Sequence, residues 1–391
     1  MIPRTLQTEL LAQLREYPVM TVLGPRQAGK TTLVRAALPD YAYVTLEDPE
    51  NRLIASADPK AFLSAYTGNT IFDEIQRVPT LLSYLQGIVD VENRAGRFVL
   101  TGSHQLELRA AIAQSLAGRT GILHLLPLSI AELAGAGIRF ETFEDYVFTG
   151  FMPRVHDQQQ RPRTAYANYY QTYVERDVRQ LIKLKDASLF EKFIKLLAGR
   201  VGQIMNHQSL AGDVGVDGKT IKEWLSILEA SFIVFKLPPY FENFGKRVIK
   251  SPKYYFIEPG LLAYLLDIEK PEQIARDPLM GQIFENLIVI EALKARYNHG
   301  QTANLYFYRD SHGNEIDLLH KSGNRMLGME IKAASTWHPS FKKTLNRFAE
   351  TVHPLTDKRV VYRGRPLAFE DGIAAIPYSQ SAESFDISTS G

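Results

Sequence analysis

Residues 24–31 read Gly-Pro-Arg-Gln-Ala-Gly-Lys-Thr. Glycines at this spacing let a loop curl until its backbone N–H groups face an anion, and a helix starting at the same point adds its dipole. In such a loop the lysine reaches the terminal phosphates and the following hydroxyl meets Mg²⁺. The pattern predicts a cradle for ATP and Mg²⁺ built from Gly24, Pro25, Arg26, Gln27, Ala28, Gly29, Lys30, Thr31 and Thr32. Further along, Ile71-Phe72-Asp73-Glu74 ends an apolar run in two carboxylates. Phosphoryl transfer asks for positioning and charge stabilisation more than covalent chemistry. Asp73 would join Thr31 in the Mg²⁺ shell, and Glu74 would orient and deprotonate the attacking water. An exposed Asp-Glu pair at a strand end is the plainer alternative.

Three more side chains belong to the same chemistry. Ser103, at the end of Arg97–Ser103, stands where a polar sensor of the γ-phosphate is expected, and His104 follows it; a surface turn is the alternative. Arg119 is a candidate to stabilise transition-state charge, in its own or a neighbouring subunit. A helix C-terminus would equally favour an arginine there. Arg176, in Tyr173-Val174-Glu175-Arg176-Asp177, is a weaker rival on what reads as a solvated helix face.

A second constellation lies near the other end. Asp317 is separated by twelve residues from Glu330-Ile331-Lys332. Glu330 and Lys332, two apart on one strand, project from the same face. With Asp317 on an antiparallel neighbour, these groups converge. Two carboxylates hold a hard divalent cation, Mg²⁺ or Mn²⁺, which polarises a phosphodiester and activates water. Glu285 on the preceding helix would complete the shell, and Lys332 would steady the water or the developing charge. An exposed sheet face with paired Glu and Lys is the alternative.

Stepping outward, the elements that must hold these groups can be read. Val19–Leu23 is an apolar strand before the loop, and Thr31–Leu38 a helix after it. Tyr43–Leu46 is a further strand that carries Glu47 and Asp48 towards the site. Helices Leu81–Val91 and Gln105–Leu116 and a strand at Gly121–Leu126 follow. Strands alternating with helices predict a parallel sheet covered on both faces. Helix Ala165–Leu184 precedes Leu189–Val201, a short helix from Asn206, and Lys219–Ala230 with Ile221, Leu225 and Leu228 on one face. Strands Phe232–Leu237 and Lys253–Ile257, with Gly245-Lys246-Arg247 and Lys250 at the tip, complete a winged-helix pattern. Lys219 and Lys222 on its second helix are available to DNA, although such modules also serve as lids or protein contacts. Helix Gly281–Tyr297, strands Leu305–Arg309, Glu315–His320 and Arg325–Lys332, a helix near Ser340–Glu350 and a strand Lys358–Tyr362 give the order αβββαβ.

The segments Gly24–Thr31, Ile71–Glu74, Leu100–Ser103 and Leu116–Arg119 occur in an order that resembles a group of AAA-type ATPases. Those proteins carry a C-terminal domain of unknown function, number 4143. The resemblance extends to Tyr173–Val178, Lys253–Phe256 and Glu330–Lys332, and so covers nearly the whole chain. Glu258 departs from it, because the family usually has Asp near that point. The C-terminal order resembles the PD-(D/E)xK nuclease superfamily, with Glu-Ile-Asp in place of Pro-Asp. The resemblance leaves open a nuclease fold that binds without cutting.

The expected fold class is α/β. An AAA-type ATPase domain fills 1–135, a helical linker 136–185, a winged-helix-like domain 186–268, a nuclease-like domain 269–378 and a disordered tail 379–391. ATP hydrolysis coupled to DNA is the expected function, with a regulatory switch that controls protein assembly as the alternative; a homo-oligomer is expected. Composition adds bounds. The chain has 391 residues, 45% apolar and 23% charged, with net charge +2 and no cysteine. That excludes disulfides, thiolate metal sites and a global basic field. Met1-Ile2-Pro3-Arg4 opens into an amphipathic helix without the apolar core of a signal peptide, and no apolar run is long enough to span a membrane, so a cytoplasmic location is expected.

Overall fold

The structure, a computed structural model, describes residues 1–103, 111–112, 114–182, 186–240 and 250–385. His104, most of the helix expected at 105–116, the basic tip at 245–247 and the end of the tail lie outside the described residues.

The first third is a five-stranded sheet of β1 (Val19–Leu23), β2 (Ala42–Thr45), β3 (Thr70–Asp73), β4 (Phe98–Gly102) and β5 (Thr120–His124), in the order β2-β3-β4-β1-β5. Every pairing is parallel. β1, β3 and β4 are buried along their whole length, as a sheet covered on both faces requires. Helices Leu6–Gln13 and Lys30–Ala37 cover one face through Leu6, Leu10, Leu33 and Val34. Helix Leu81–Glu92 covers the other through Leu81, Leu82, Leu85 and Val89. The register aligns Leu23 with Gly102, and Phe72 with Leu100. The loops that leave β1, β3 and β4 therefore emerge side by side.

The single helix expected at 165–184 is three pieces. An α-helix Pro162–Tyr169 runs into a nine-residue π-helical stretch, Tyr170–Val178, and returns to α-helix at Arg179–Ile182. Tyr170, Val174 and Val178 are all buried at intervals of four. Three helices follow, Ala187–Ala198, His207–Val214 and Gly218–Ala230, each opened by a side-chain cap from Asp186, Asn206 or Asp217. An antiparallel pair, β6 (Val234–Leu237) and β7 (Lys253–Phe256), closes this region.

Helix Met280–Asn298 leads into β8 (Leu305–Arg309), β9 (Glu315–Ser322), β10 (Arg325–Lys332), β11 (Asp357–Tyr362), β12 (Leu367–Ala368) and β13 (Ile373–Pro377). Their order is β12-β13-β11-β10-β9-β8. β8, β9 and β10 are antiparallel, and β11 joins β10 in parallel. Residues 379–385, expected to belong to a disordered tail, form part of the 3-10 turn Tyr378–Phe385. The correction has a physical cause: Phe385 and Ser381 are buried, and Phe385 joins the main core and packs its ring on His320.

One hydrophobic core runs through residues that the sequence assigns to different domains. Helix Met280–Asn298 is buried nearly all round and carries an ion pair into that core. Lys294 Nζ donates to Glu291 Oε1 at 2.8 Å and to Leu128 O at 2.7 Å, and sits 3.7 Å from the Phe151 ring centroid. Glu291 Oε2 accepts from Ile130 N at 2.8 Å. The C-terminal helix thereby completes the hydrogen bonding of the segment that leaves the first sheet. Replacing Glu291 with Ala strands a buried ammonium and should cost about 3–5 kcal/mol. Urea unfolding checks this, and a loss within ±0.5 kcal/mol, the scale of an ordinary surface change, would contradict it.

Candidate active site

The phosphate loop is shaped by two glycines. A Cβ on Gly24 would lie 2.0 Å from Leu125 O, so only glycine lets β1 exit beside the end of β5. Gly29 takes φ 91° and caps helix Lys30–Ala37, turning the chain in a conformation that side chains disfavour. Lys30 is buried, and its Nζ donates to Gly24 O and Pro25 O at 2.9 Å each. Burial lowers its proton affinity, an effect opposed by Glu74 and Asp73. A polyphosphate would supply the countercharge that these carbonyls only partly provide.

Asp73, at the end of β3, collects three hydroxyls. Thr31 Oγ1 donates at 2.9 Å, Tyr43 OH at 2.8 Å, and Thr101 Oγ1 makes a short bond. Burial, together with the Asp73 carboxylate, pushes the Tyr43 phenol up to about 12. Glu74 follows with φ 58°, a left-handed backbone that is costly for a residue with a side chain. Its carboxylate accepts from Ser103 Oγ at 3.1 Å and from the Gln76 amide, while its own N–H donates to Thr101 Oγ1 at 3.2 Å. Asp73, Glu74, Ser103, Lys30 and Thr31 thus converge where the aligned strand ends emerge. Mg²⁺ is held by one or two carboxylates plus phosphate oxygens and retained waters. The Thr31–Asp73 pair fits that requirement as a donor set.

A cavity of about 650 Å³ opens on Lys30, Thr31 and Glu74. Ile2, Arg4, Glu47, Pro153, Arg154 and Asp157 also line it. Arg4 escaped the sequence reading. Its side chain is buried and holds Ala28 O and Leu126 O at 2.7 Å each and Glu132 Oε1 at 3.0 Å. It braces the loop from behind. Thr101 and Tyr43, on strands, and Gln76, in the 3-10 turn Ile75–Arg77, were also missed, since single hydroxyls and amides carry no motif.

The two candidate arginines lie elsewhere. Arg119 pairs with Asp90 on helix Leu81–Glu92, its Nη2 at 3.0 Å from Asp90 Oδ2. Its carbonyl accepts from Val19 N, at the start of β1. A five-residue strand, about 16 Å at the usual rise, separates it from its own phosphate loop. Arg176 is largely exposed and donates to Asp177 Oδ1 at 2.8 Å. The arginine beside the loop is Arg26, which pairs with Asp177 Oδ2 at 2.7 Å.

In the C-terminal sheet Asp317 stands opposite Glu330 across β9 and β10. Lys332 Nζ lies 3.1 Å from Asp317 Oδ2 and 2.5 Å from Glu330 Oε2, so these three meet. Glu285 reaches the same neighbourhood but is engaged by Lys253 Nζ at 2.9 Å and by Tyr255 OH. Lys253 also meets Glu315 Oε1 at 2.6 Å. Burial raises the proton affinity of Glu285, and burial with the nearby Asp317 raises that of Glu330 well above the usual carboxylate range. The carboxylates expected to surround a metal therefore have lysines as their cations. Among the described residues, no three acid or histidine side chains are grouped to hold a metal ion. Lys253 and Glu315 were missed because Lys253 comes from β7, far away in sequence.

Three family models match the chain. An AAA domain matches residues 16–134, and the domain of unknown function DUF4143 matches 280–381. A further domain of unknown function, DUF8612, matches 105–272. An uncharacterized protein of Mycobacterium tuberculosis is 32% identical over 382 residues, which cover 96% of this chain and 84% of that protein. Another, of Haemophilus influenzae, is 23% identical over 313 residues, 76% of this chain and 74% of its own. Among solved structures, the Walker-type ATPase PABY2304 of Pyrococcus abyssi aligns with TM-score 0.45 and 13% identity over 68% of this chain and 96% of its own. AMPPCP-bound DnaA from Aquifex aeolicus aligns with TM-score 0.28 and 12% identity over 57% of this chain and 85% of its own. Among the described residues no helix is long and apolar enough to cross a membrane.

Two substitutions separate binding from chemistry at the first site. Lys30→Ala removes the buried ammonium and should abolish tight ATP binding, measured with a fluorescent ATP analogue. Glu74→Gln keeps the shape and should leave binding intact while turnover falls by ~10²-fold or more, the scale of a general base. Wild-type turnover in Glu74→Gln would remove Glu74 from the water-side role.

Proposed function

The chain belongs to the same family as the mycobacterial protein, with an AAA domain ahead of DUF4143, and on that premise we propose that it hydrolyses ATP with Mg²⁺ and couples the reaction to DNA binding or processing. The observation that carries the hydrolysis reading is Glu74. A strained backbone and two side chains, Ser103 and Gln76, hold its carboxylate beside the Thr31–Asp73 pair. Thr31 and Asp73 would hold the Mg²⁺, which would neutralise charge on the phosphates. Lys30 gives up its carbonyl partners for the phosphate oxygens, and Glu74 takes the proton of the attacking water. Arg119, half-exposed beside Asp90, is available to a neighbouring copy in a homo-oligomer.

The coupling to DNA draws on the middle and C-terminal regions. Lys219 and Lys222 are exposed on the first turns of helix Gly218–Ala230, the second helix of a turn-linked pair that suits a major groove. The meeting of Asp317, Glu330 and Lys332 supports the nuclease-like reading of the C-terminal sheet. A second reading has its own observation. Lys253 fills the space among Glu285 and Glu315, which favours a C-terminal unit that binds without cutting and an ATPase that switches protein assembly.

ATP turnover measured with and without single-stranded, duplex and branched DNA, beside a nicking assay in Mg²⁺ or Mn²⁺, separates the two. Faster turnover with DNA, lost on replacing Lys219 and Lys222 together with Glu, supports the first. Nicking that vanishes in Asp317→Ala, with DNA-free ATP hydrolysis retained, supports cleavage at the C-terminal cluster. No DNA effect, no nicking and an ATP-dependent change of oligomer would support the switch.

A further inference from the structure

Arg26 is the third residue of the phosphate loop, and its side chain lines the cavity that Lys30, Thr31 and Glu74 also line. It is half-buried, and its present partners come from the π-helical stretch Tyr170–Val178. Arg26 Nη1 lies 2.7 Å from Asp177 Oδ2, and the guanidinium stands 5.3 Å from the Tyr173 ring centroid. We propose that Arg26 is the arginine that meets the terminal phosphates of the bound nucleotide, from within the same chain, and that Asp177 and Tyr173 hold it aside until nucleotide arrives. The proposal rests on the ATPase reading above and adds to it the charge-stabilising group.

Three observations carry it. The first concerns the other cations of the cavity wall. Arg4 is committed to two carbonyls and Glu132, while Arg154 belongs to helix Pro153–Asp157 rather than to the loop itself. Arg119 is a strand length away, and Arg176 points out at Asp177. The second is proximity. Arg26 and Lys30 carry like charge and line the same cavity. A triphosphate between them relieves that repulsion. The third is the quality of the Arg26–Asp177 contact. It is an ion pair at 2.7 Å that leaves the buried Oδ2 without a hydrogen bond, while Oδ1 is engaged by Arg176 at 2.8 Å. An ion pair without hydrogen-bond geometry is a weak competitor for Arg26. Phosphate oxygens offer a guanidinium parallel, charge-assisted bonds.

The exchange would also have a consequence beyond the loop. Tyr173, under the guanidinium, donates from its OH to Ser231 O at 3.1 Å, beyond the last of the three middle helices. Arg26 leaving Asp177 would loosen the stretch that joins the phosphate loop to that region.

The test compares ADP with ADP plus aluminium fluoride, a mimic of the transferring phosphoryl group, on the full chain. Arg26→Ala should bind ADP close to wild type, lose most of the extra affinity for the fluoride complex, and show kcat reduced by ~10³-fold, the low end for an arginine of this kind. Arg26→Lys keeps charge and stem, guards against misfolding, and should recover only part of kcat, since an ammonium cannot form the paired bonds. Asp177→Asn removes the competing charge and should raise kcat. A wild-type chain that does not hydrolyse ATP overturns the ATPase reading and this proposal with it. Hydrolysis that Lys30→Ala abolishes but Arg26→Ala leaves at the wild-type rate overturns this proposal alone. So does an equal loss of ADP and fluoride-complex affinity, or loss of the fluoride effect in Arg154→Ala with Arg26→Ala unaffected. Unchanged or slower turnover in Asp177→Asn would remove Asp177 as the restraint.

Discussion

A buried carboxylate must find donors, and Asp73 finds them on three different elements. Thr31 belongs to the helix after the phosphate loop, Tyr43 to β2 and Thr101 to β4. An ionised acid left without them would cost several kcal/mol. The parallel register of β1, β3 and β4 is what brings those donors within reach, because it ends the strands at one level. The same hydroxyl of Thr101 then takes the backbone N–H of Glu74. Asp73 and Glu74 are therefore both fixed by one threonine, and the strain at Glu74 is held in place by a bond to the strand next door.

The rule repeats at every junction between regions. Arg4 and Glu132 sit where the N-terminal helix meets the loop after β5. Glu291 and Lys294 sit where the C-terminal helix meets that same loop. Glu258 caps helix Pro259–Leu265 and also takes Phe151 N at 2.8 Å and Tyr166 OH at 2.9 Å. Burial raises its proton affinity against the pull of Lys294. Each of these charges is buried and paired with groups from another part of the chain.

Much of this was legible in the residues. The loop glycines, Lys30, Thr31 and the Asp73–Glu74 pair announce themselves because the chemistry dictates both type and spacing. The order of strands and helices followed from period and breakers, and β8, β9 and β10 start at the expected residues. What stayed hidden shares a character. Arg4, Gln76, Thr101 and Lys253 act through contacts with residues distant in sequence, and no local spacing marks them. The π-helical stretch was invisible because Tyr170, Tyr173 and Val174 fit an ordinary amphipathic helix equally well. Arg119 lies at the opposite end of the sheet from its own phosphate loop, because the parallel strand that begins at Thr120 starts level with the start of β1.

The C-terminal cluster is best understood by counting its charges. Glu285, Glu315, Asp317 and Glu330 meet Lys253, Lys332 and, at 2.8 Å from Glu315 Oε2, Arg309. Four acids against three bases leave one charge uncompensated, and burial moves it towards a proton on Glu330, whose Oε1 is buried without a hydrogen-bond partner. Lys253 arrives from β7, a strand of the middle region, whereas every acid lies on the C-terminal helix or sheet. The charge balance of the C-terminal site therefore depends on how the middle region sits against it. The π-helical stretch packs on the phosphate loop at Asp177 and on Ser231 near the start of β6, the partner strand of β7. The phosphate loop is thus in contact, through this stretch, with the strand pair that carries Lys253.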